Sequence, residues 1–146
     1  MYEQLRLENQ LCFRLYSASR LVTQAYRPLL EPLGLTYPHY LVLLVLWEQD
    51  GQTVGDIGER LLLESNTLTP LLQRMEREGL IVRTKGTTDT HKTVIELTAE
   101  GKRLERRAKD VPSCLMDNWK GGDMRMCDLQ GCANTLDGII SLLKKH

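Results

Sequence analysis

Apolar residues recur every three or four positions along the first 30 residues, which is the period of a helix with one apolar face. These positions are Leu11, Leu15, Ala18, Val22, Ala25 and Leu29. The pattern predicts a long helix from about Leu5 to Leu30, ended by Pro28 and by Pro32-Leu33-Gly34. The segment from Tyr37 to about Gln49 is apolar on nearly all sides, which is typical of a helix at the centre of a core. Thr36 is its expected N-cap.

Two shorter amphipathic segments follow, separated by a short link. The first runs from Thr53 to Leu61, and the second runs from about Asn66 to Glu78, where Gly79 provides a C-terminal cap. Ser65 or Asn66 is the expected N-cap of the second segment. The pattern therefore predicts a short helix, a tight turn and a second helix.

Two β-like runs come next, Leu80–Arg83 and Lys92–Leu97, and a polar stretch joins them. Short strands around a polar tip predict a hairpin. A helix, a turn, a helix and a hairpin in this order predict a winged helix-turn-helix over residues 35–97. The predicted fold class is therefore mostly α, with a small β component (α+β).

Two further helices are predicted after the hairpin. A charged helix opens at Thr98 and runs to about Val111, with a break at Pro112, and a last helix spans about Met124 to Lys145. The positions of the last helix that are expected to face inward are Leu129, Cys132, Leu136, Ile139, Ile140 and Leu143.

Composition narrows the class of protein. The 146 residues are 26% charged and 42% hydrophobic, so the chain is neither disordered by composition nor embedded in a membrane. No run of residues is long and apolar enough for a membrane span, and the first residues lack the order of a secretory signal. We therefore expect a cytoplasmic protein. The formal net charge is zero, which by itself disfavours a nucleic-acid binder, although the local distribution of charge decides more than the sum.

The four cysteines do not form a recognisable metal or disulfide framework. Because the cytosol is reducing, free or redox-active thiols are expected in place of disulfides. The sequence has no Cys-x-x-Cys pair, and its three histidines are scattered, so neither a metal nor another cofactor is expected.

The second helix of the helix-turn-helix carries side chains that can read DNA. At about 100° per residue, its leucines and Met75 fall on one face, and polar side chains occupy the other. Asn, Gln and Arg can each make two hydrogen bonds to a base edge, and Thr and Arg can hold phosphates. The candidate DNA-binding residues of this helix are Ser65, Asn66, Thr67, Thr69, Pro70, Gln73, Arg74 and Arg77.

The hairpin adds positive charge next to that face. Arg83, Lys85 and Lys92 lie on or beside the two runs, where they could reach phosphates or a minor groove. A polar helix face that is merely solvated is the alternative interpretation. The tight turn and the hairpin together favour DNA binding.

Cys12 shares one line of the first helix with Tyr16 and Tyr26, to within about 40°. Tyr16 is within reach of the thiol, but Tyr26 lies about 21 Å along the axis. If both phenols serve one thiol, at least one must come from an antiparallel partner helix. A phenol that donates to sulfur favours the thiolate, which attacks peroxides to give a sulfenic acid. A small buried cysteine among core tyrosines is the alternative.

Several segments resemble the organic-hydroperoxide regulators of the MarR family, the OhrR subgroup. They are Leu11–Phe13, Tyr26–Leu30, Thr36–Glu48 and Ser65–Leu72, within a match that covers about residues 8 to 112. The resemblance implies a homodimer joined by terminal helices (residues 1–34 and 98–146). It also implies repression through an inverted-repeat operator in double-stranded DNA.

The resemblance also assigns roles to the thiol and its tyrosines. Cys12 matches the peroxide-reactive cysteine, and Tyr16 and Tyr26 match two tyrosines that hydrogen-bond it across the dimer. Oxidation by an organic hydroperoxide, followed by a mixed or intersubunit disulfide, would release the DNA.

The chain departs from the family at the wing and near its C-terminus. The wing reads Asp89-Thr90-His91 where the family has Asp-Glu-Arg, so Lys92 or Lys85 is expected to substitute for the arginine. Asp117 stands where two-cysteine members carry a resolving cysteine. The second thiol therefore stays open among Cys114, Cys127, Cys132 and a low-molecular-weight thiol, with Cys114 and Cys127 ranked first.

The sequence predicts a hydroperoxide-responsive repressor, and two alternative functions are compatible with parts of the same pattern. The first is a MarR-type regulator that binds a small aromatic ligand, in which replacement of Cys12 by Ser would leave sensing intact. The second is a thiol peroxidase that uses Cys12 catalytically. It is disfavoured because the pattern places Cys12 inside a helix, without an Arg or Thr beside it in an N-terminal turn. The sequence therefore predicts a regulator, not an enzyme.

Overall fold

The computed structural model describes residues 1–86, 92–119, 122 and 124–144. The helices in this part of the chain are α1 (Leu11–Leu30), α2 (Tyr37–Glu48), α3 (Val54–Leu61), α4 (Ser65–Arg77), α5 (Ala99–Ala108), α6 (Val111–Asp117) and α7 (Met126–Leu143). The strands are β1 (Gln52–Thr53), β2 (Ile81–Lys85) and β3 (Thr93–Leu97). The mostly helical fold with a winged helix-turn-helix is confirmed, since α3, α4 and the β2–β3 hairpin follow one another as predicted.

Helix α2 lies at the centre of the core, as its apolar sequence predicts. Its buried residues are His39, Tyr40, Val42, Leu43, Val45 and Leu46. Helices α1, α3, α4 and α5 all contact it. Thr36 caps its N-terminus, because the Thr36 hydroxyl accepts a hydrogen bond from the backbone N–H of His39 at 3.4 Å.

The three strands form one antiparallel sheet in the order β1–β3–β2. In the hairpin Ile81 pairs with Leu97, and Lys85 pairs with Thr93. Strand β1 pairs Gln52 with Ile95, and the sequence analysis missed it because two residues are too few to show an alternating pattern. The sheet therefore attaches the hairpin to the segment that precedes α3.

Helix α1 begins at Leu11, so the prediction of a start near Leu5 is wrong. Two short 3₁₀ turns precede it, and polar side chains bond their carbonyl groups. The Asn9 side chain donates to Glu3 O at 2.7 Å, and the Gln10 side chain donates to Gln4 O at 2.9 Å. Such bonds compete with helical ones, and they leave Gln10 in an extended conformation as the N-cap.

Two prolines do not end helices as predicted. Pro28 lies inside α1, which continues to Leu30 and then tightens into a 3₁₀ turn. The chain turns at Gly34, whose φ of 73° is left-handed. Pro112 is the second residue of α6 and does not break a helix. The backbone N–H groups of a first turn have no partner within the helix, so the N–H that proline lacks is not missed there.

The N-cap of α4 also differs from the prediction. Glu64 occupies that position with an extended backbone, and its side chain makes no capping hydrogen bond. Ser65 and Asn66, the two expected caps, are the first two residues of the helix. The side chains of both remain exposed.

The apolar face of α7 is not buried within one chain, which corrects the inward orientation expected for it. No residue of the helix is buried in the described structure. Leu129, Leu136 and Ile139 are half-buried, and Ile140 and Leu143 are exposed. Helix α1 is similar, since Leu30 is its sole buried residue. The two terminal helices therefore carry apolar surface that this chain alone does not cover.

No single helix among the described residues is long and apolar enough to cross a membrane. Residues Leu11–Leu33 and Tyr37–Glu48 meet the criteria of length and composition only when they are counted together across a bend of 72°. Six side chains of the second segment are buried in the protein core.

Gly101→Ala should destabilise the fold, because α5 approaches the hairpin closely at Gly101. A Cβ atom there would collide with the Leu80 carbonyl oxygen and lie 3.1 Å from Leu97 Cδ2. We expect the free energy of unfolding in urea to fall by about 1–3 kcal/mol. Gly55→Ala in α3 is the matched control, because its Cβ would meet only Thr53 Oγ1 at 3.8 Å. Equal losses in the two variants would contradict the close approach.

Candidate nucleic-acid interface and reactive thiol

Helix α4 has two distinct faces. Leu68, Leu72 and Met75 are fully buried against the core. Thr69 is half-buried, and the exposed candidate residues are Ser65, Asn66, Thr67, Pro70, Gln73, Arg74 and Arg77. The two-faced helix predicted from the sequence is therefore observed. Its solvent side presents two arginines, an asparagine and a glutamine.

The turn between α3 and α4 fixes the direction in which that face points. Leu62 ends α3 in the left-handed region, with φ 59°, and the N–H of Leu63 then donates to Gly58 O at 2.9 Å. A Cβ at Gly58 would lie 2.7 Å from the Leu63 carbonyl oxygen. The chain therefore turns tightly against α3 before α4 begins.

Two lysines of the hairpin are free of ion pairs within the described residues. Lys85 and Lys92 are exposed at the facing ends of β2 and β3, where the N–H of Gly86 donates to Lys92 O at 2.8 Å. Asp89 and His91, the other two candidate wing residues, lie outside the described residues. The hairpin, whose strand β2 contacts α4, thus presents two exposed cations.

Arg83 is bound to α4 and is not free on the hairpin. Its backbone N–H and its Nε each donate to the Glu76 carboxylate at 3.0 Å. These hydrogen bonds hold the pKa of Glu76 below its ordinary value of 4.5. The sequence predicts Arg83 as one of the free cations of the hairpin. It does not reveal the Glu76 contact, because β2 and α4 are brought together only by the fold. Arg83 therefore positions the hairpin on α4.

Cys12 is exposed in the first turn of α1. The expected location in the interior of a helix is wrong, because α1 begins at Leu11 and Cys12 is its second residue. Tyr16, one turn further along, is 68% exposed, and within the described residues no hydrogen bond joins it to the thiol. The thiol therefore faces solvent at the positive end of the helix dipole, between the exposed apolar side chains of Leu11 and Phe13.

Tyr26 belongs to an aromatic cluster at the other end of α1. Its ring centroid lies 4.7 Å from that of Tyr37 and 5.7 Å from that of Tyr40. Burial, with the two neighbouring phenols, raises the pKa of Tyr26 to about 12, so this phenol keeps its proton at neutral pH. The sequence analysis missed Tyr37 and Tyr40 as partners of Tyr26, although both lie in the motif that carries the family resemblance.

The other three thiols lie on the last two helices. Cys114 is exposed on α6, and Cys127 and Cys132 are exposed on α7. All four cysteines of the chain are free. No group of three or more His, Cys, Asp or Glu side chains in the described residues could hold a metal ion.

Known proteins are similar to this chain in both sequence and fold. The model of the MarR family matches residues 35–92. The chain is 44% identical to the organic hydroperoxide resistance transcriptional regulator of Bacillus subtilis (strain 168), over 92% of each protein. It is 37% identical to reduced AbfR bound to DNA, with a TM-score of 0.79 over 97% of this chain and 96% of that one. For disulfide-formed AbfR the identity is 40% and the TM-score 0.65, over 94% and 95%.

Glu76→Gln should remove a contribution to stability that depends on pH. Because the pKa of Glu76 is lower in the folded protein than in the unfolded chain, its carboxylate stabilises the fold above the unfolded value of 4.5. This contribution is lost as the pH falls through the lower, folded value. We expect the difference in unfolding free energy between wild type and E76Q to be constant near pH 7 and to shrink below about pH 4.5.

Urea denaturation between pH 3 and pH 7 measures that difference. Glu105→Gln, at an exposed site of α5 without a hydrogen bond or ion pair in the described residues, is the matched control. A difference for E76Q that stays the same down to pH 3 would show that the Arg83 contact does not stabilise the ionised form.

Proposed function

Because the chain belongs to the MarR family, we propose that it is a cytoplasmic, dimeric repressor that binds an inverted-repeat operator and releases it when an organic hydroperoxide oxidises Cys12. The observation that carries the proposal is the exposed polar face of α4, which is followed in the chain by a hairpin with two exposed lysines. The Bacillus subtilis relative, a regulator of organic hydroperoxide resistance, supports the choice of signal.

In this proposal α4 enters the major groove of double-stranded DNA. Asn66, Gln73 and Arg77 can hydrogen-bond base edges there. Lys85 and Lys92 would neutralise phosphates or reach the minor groove. This local charge explains how a chain with zero formal net charge can bind a polyanion. The DNA-bound state of AbfR, a similar fold, supports the arrangement.

A second copy of the chain would cover the apolar surface of the terminal helices. Leu11, Phe13, Leu21, Ile140 and Leu143 are each more than 40% exposed in one chain. Burial of apolar area is the main favourable contribution to the association of protein subunits. A two-fold dimer through residues 1–34 and 98–146 would also present two α4 helices about 34 Å apart, which matches an inverted repeat.

Oxidation would begin at the Cys12 thiolate. Its sulfur attacks the terminal oxygen of the hydroperoxide, the O–O bond breaks and an alcohol leaves, so the thiol becomes a sulfenic acid. A second thiol then displaces water and forms a disulfide. That thiol comes from Cys114, Cys127 or Cys132 of the partner subunit, or from a low-molecular-weight thiol. Reduced AbfR, a similar fold, is solved bound to DNA, which supports DNA binding by the reduced form.

The tyrosines would prepare the thiol for this reaction. Tyr26 keeps its proton and can therefore donate a hydrogen bond, and Tyr37 holds its ring in place. Tyr26 lies about 21 Å from Cys12 along α1, so the thiol it serves belongs to the partner subunit. Tyr16 makes no hydrogen bond to Cys12 of its own chain in the described structure and is 68% exposed, so it too is available to the thiol of the partner subunit.

Arg77→Ala should weaken operator binding by about 1–3 kcal/mol, because Arg77 lies exposed on the face that meets the DNA. Fluorescence anisotropy with a labelled fragment of the protein's own promoter measures the loss. Arg106→Ala, which removes an equally exposed arginine from α5, is the control and should change the affinity little. Equal losses in both variants would indicate non-specific attraction and contradict a reading role for α4.

Cys12→Ser should bind the operator with the affinity of the reduced wild type, and oxidant should not change that affinity. One equivalent of organic hydroperoxide is expected to release the wild type, and dithiothreitol is expected to restore binding. Wild-type binding that persists after oxidation would leave DNA binding intact but remove Cys12 as the switch. A response that survives in C12S would favour a small aromatic ligand site.

A further inference from the structure

His39 is a buried histidine to which the proposed function gives no role. Its side chain is 3% exposed. The Nδ1 atom accepts a hydrogen bond from the Thr36 backbone N–H at 3.3 Å, so the proton of the neutral ring lies on Nε2. Nε2 is buried without a hydrogen-bond partner in the described structure, and the Glu78 carboxylate lies 3.9 Å from it.

The imidazole stands between two functional parts of the molecule. Its chain neighbours on α2, Tyr37 and Tyr40, belong to the cluster around Tyr26. Glu78 is the C-cap of α4, and its N–H donates to Arg74 O at 3.0 Å. The buried ring therefore lies close to the side chain of the residue that caps the proposed recognition helix, on the same helix as two of the clustered tyrosines.

The surroundings favour the neutral ring. Burial lowers the pKa of His39, and Arg74 lowers it further, while Glu78 acts in the opposite direction. Burial raises the pKa of Tyr37 and of Tyr40, the neighbours of His39 on α2, so both phenols are uncharged near neutral pH. A protonated His39 would place a charge in the core beside a cationic side chain of α4, and it would draw the Glu78 carboxylate, 3.9 Å away, toward the ring.

We propose that His39 is a positioning residue whose neutral form holds the last turn of α4 in its DNA-binding place and whose protonation weakens operator binding. The inference rests on the proposed function. If the DNA-bound form keeps His39 neutral, release of DNA is accompanied by uptake of a proton. Operator affinity must then fall as the pH falls, because the two equilibria are linked.

The test measures operator affinity at pH 7.5 and pH 6.0 at constant ionic strength, with reduced protein. The parent protein carries His91→Gln and His146→Gln, so that His39 is the one histidine left of the three. This parent should lose affinity about fivefold between the two pH values, the low end of ordinary coupling between sites. His39→Gln, whose amide does not titrate, should lose almost none.

A second pair of variants tests the contact with α4 directly. Glu78→Gln removes the group that opposes the lowering of the His39 pKa, so the loss of affinity should move to lower pH and shrink over this interval. Glu64→Gln, which removes a carboxylate at the other end of α4, is the control and should keep the fivefold ratio. Thermal unfolding shows whether each variant is folded. If His39→Gln does not fold, the comparison of Glu78→Gln with Glu64→Gln tests the role of His39 by itself.

The outcomes separate this inference from the function on which it rests. Absence of operator binding by the reduced wild type at pH 7.5 would contradict the proposed function, and the role of His39 with it. Binding that is independent of pH, or an unchanged ratio in His39→Gln, would overturn only the role of His39. Equal ratios in Glu78→Gln and Glu64→Gln would overturn it as well.

Discussion

Helix α2 packs against α1, α3, α4 and α5 at once, so none of these helices can move against it without opening the core. Specific bonds reinforce this packing, since Trp47 Nε1 donates to Gly101 O of α5 at 3.0 Å. At its N-terminus, Tyr40 stacks near Tyr26 of α1, while His39 faces Glu78 beyond α4. In the proposed mechanism, α2 is the rigid element that connects the tyrosines to the end of the recognition helix.

The terminal helices have the opposite character. They carry apolar stripes that one chain leaves uncovered, and Cys12 lies at the beginning of one of them. The chemistry of the proposed sensor thus belongs to the part of the molecule that a second copy completes. The reading surface belongs to the part that each chain completes alone. In the proposed dimer, contact between these parts allows a small change at sulfur to alter the spacing of two α4 helices.

The sequence predicted the elements whose periodicity is determined by burial within one chain. Helices α2, α3 and α4 and the hairpin were found because one face, or every face, of each is buried. The start of α1 was missed because hydrogen bonds from Asn9 and Gln10 to nearby carbonyls compete with helix formation, which periodicity does not reveal. The Glu76–Arg83 pair and the Tyr26–Tyr37 stack were missed because each joins residues brought together only by the fold.

The central claim is that the oxidation state of Cys12 and operator binding are linked, and linkage acts in both directions. A redox titration of the Cys12 disulfide against cysteine and cystine, with and without saturating operator DNA, measures it directly. DNA should favour the reduced thiol, and the midpoint should shift by about 30 mV for each tenfold loss of affinity on oxidation. An identical midpoint with and without DNA would contradict the account, whatever the affinity of the reduced protein.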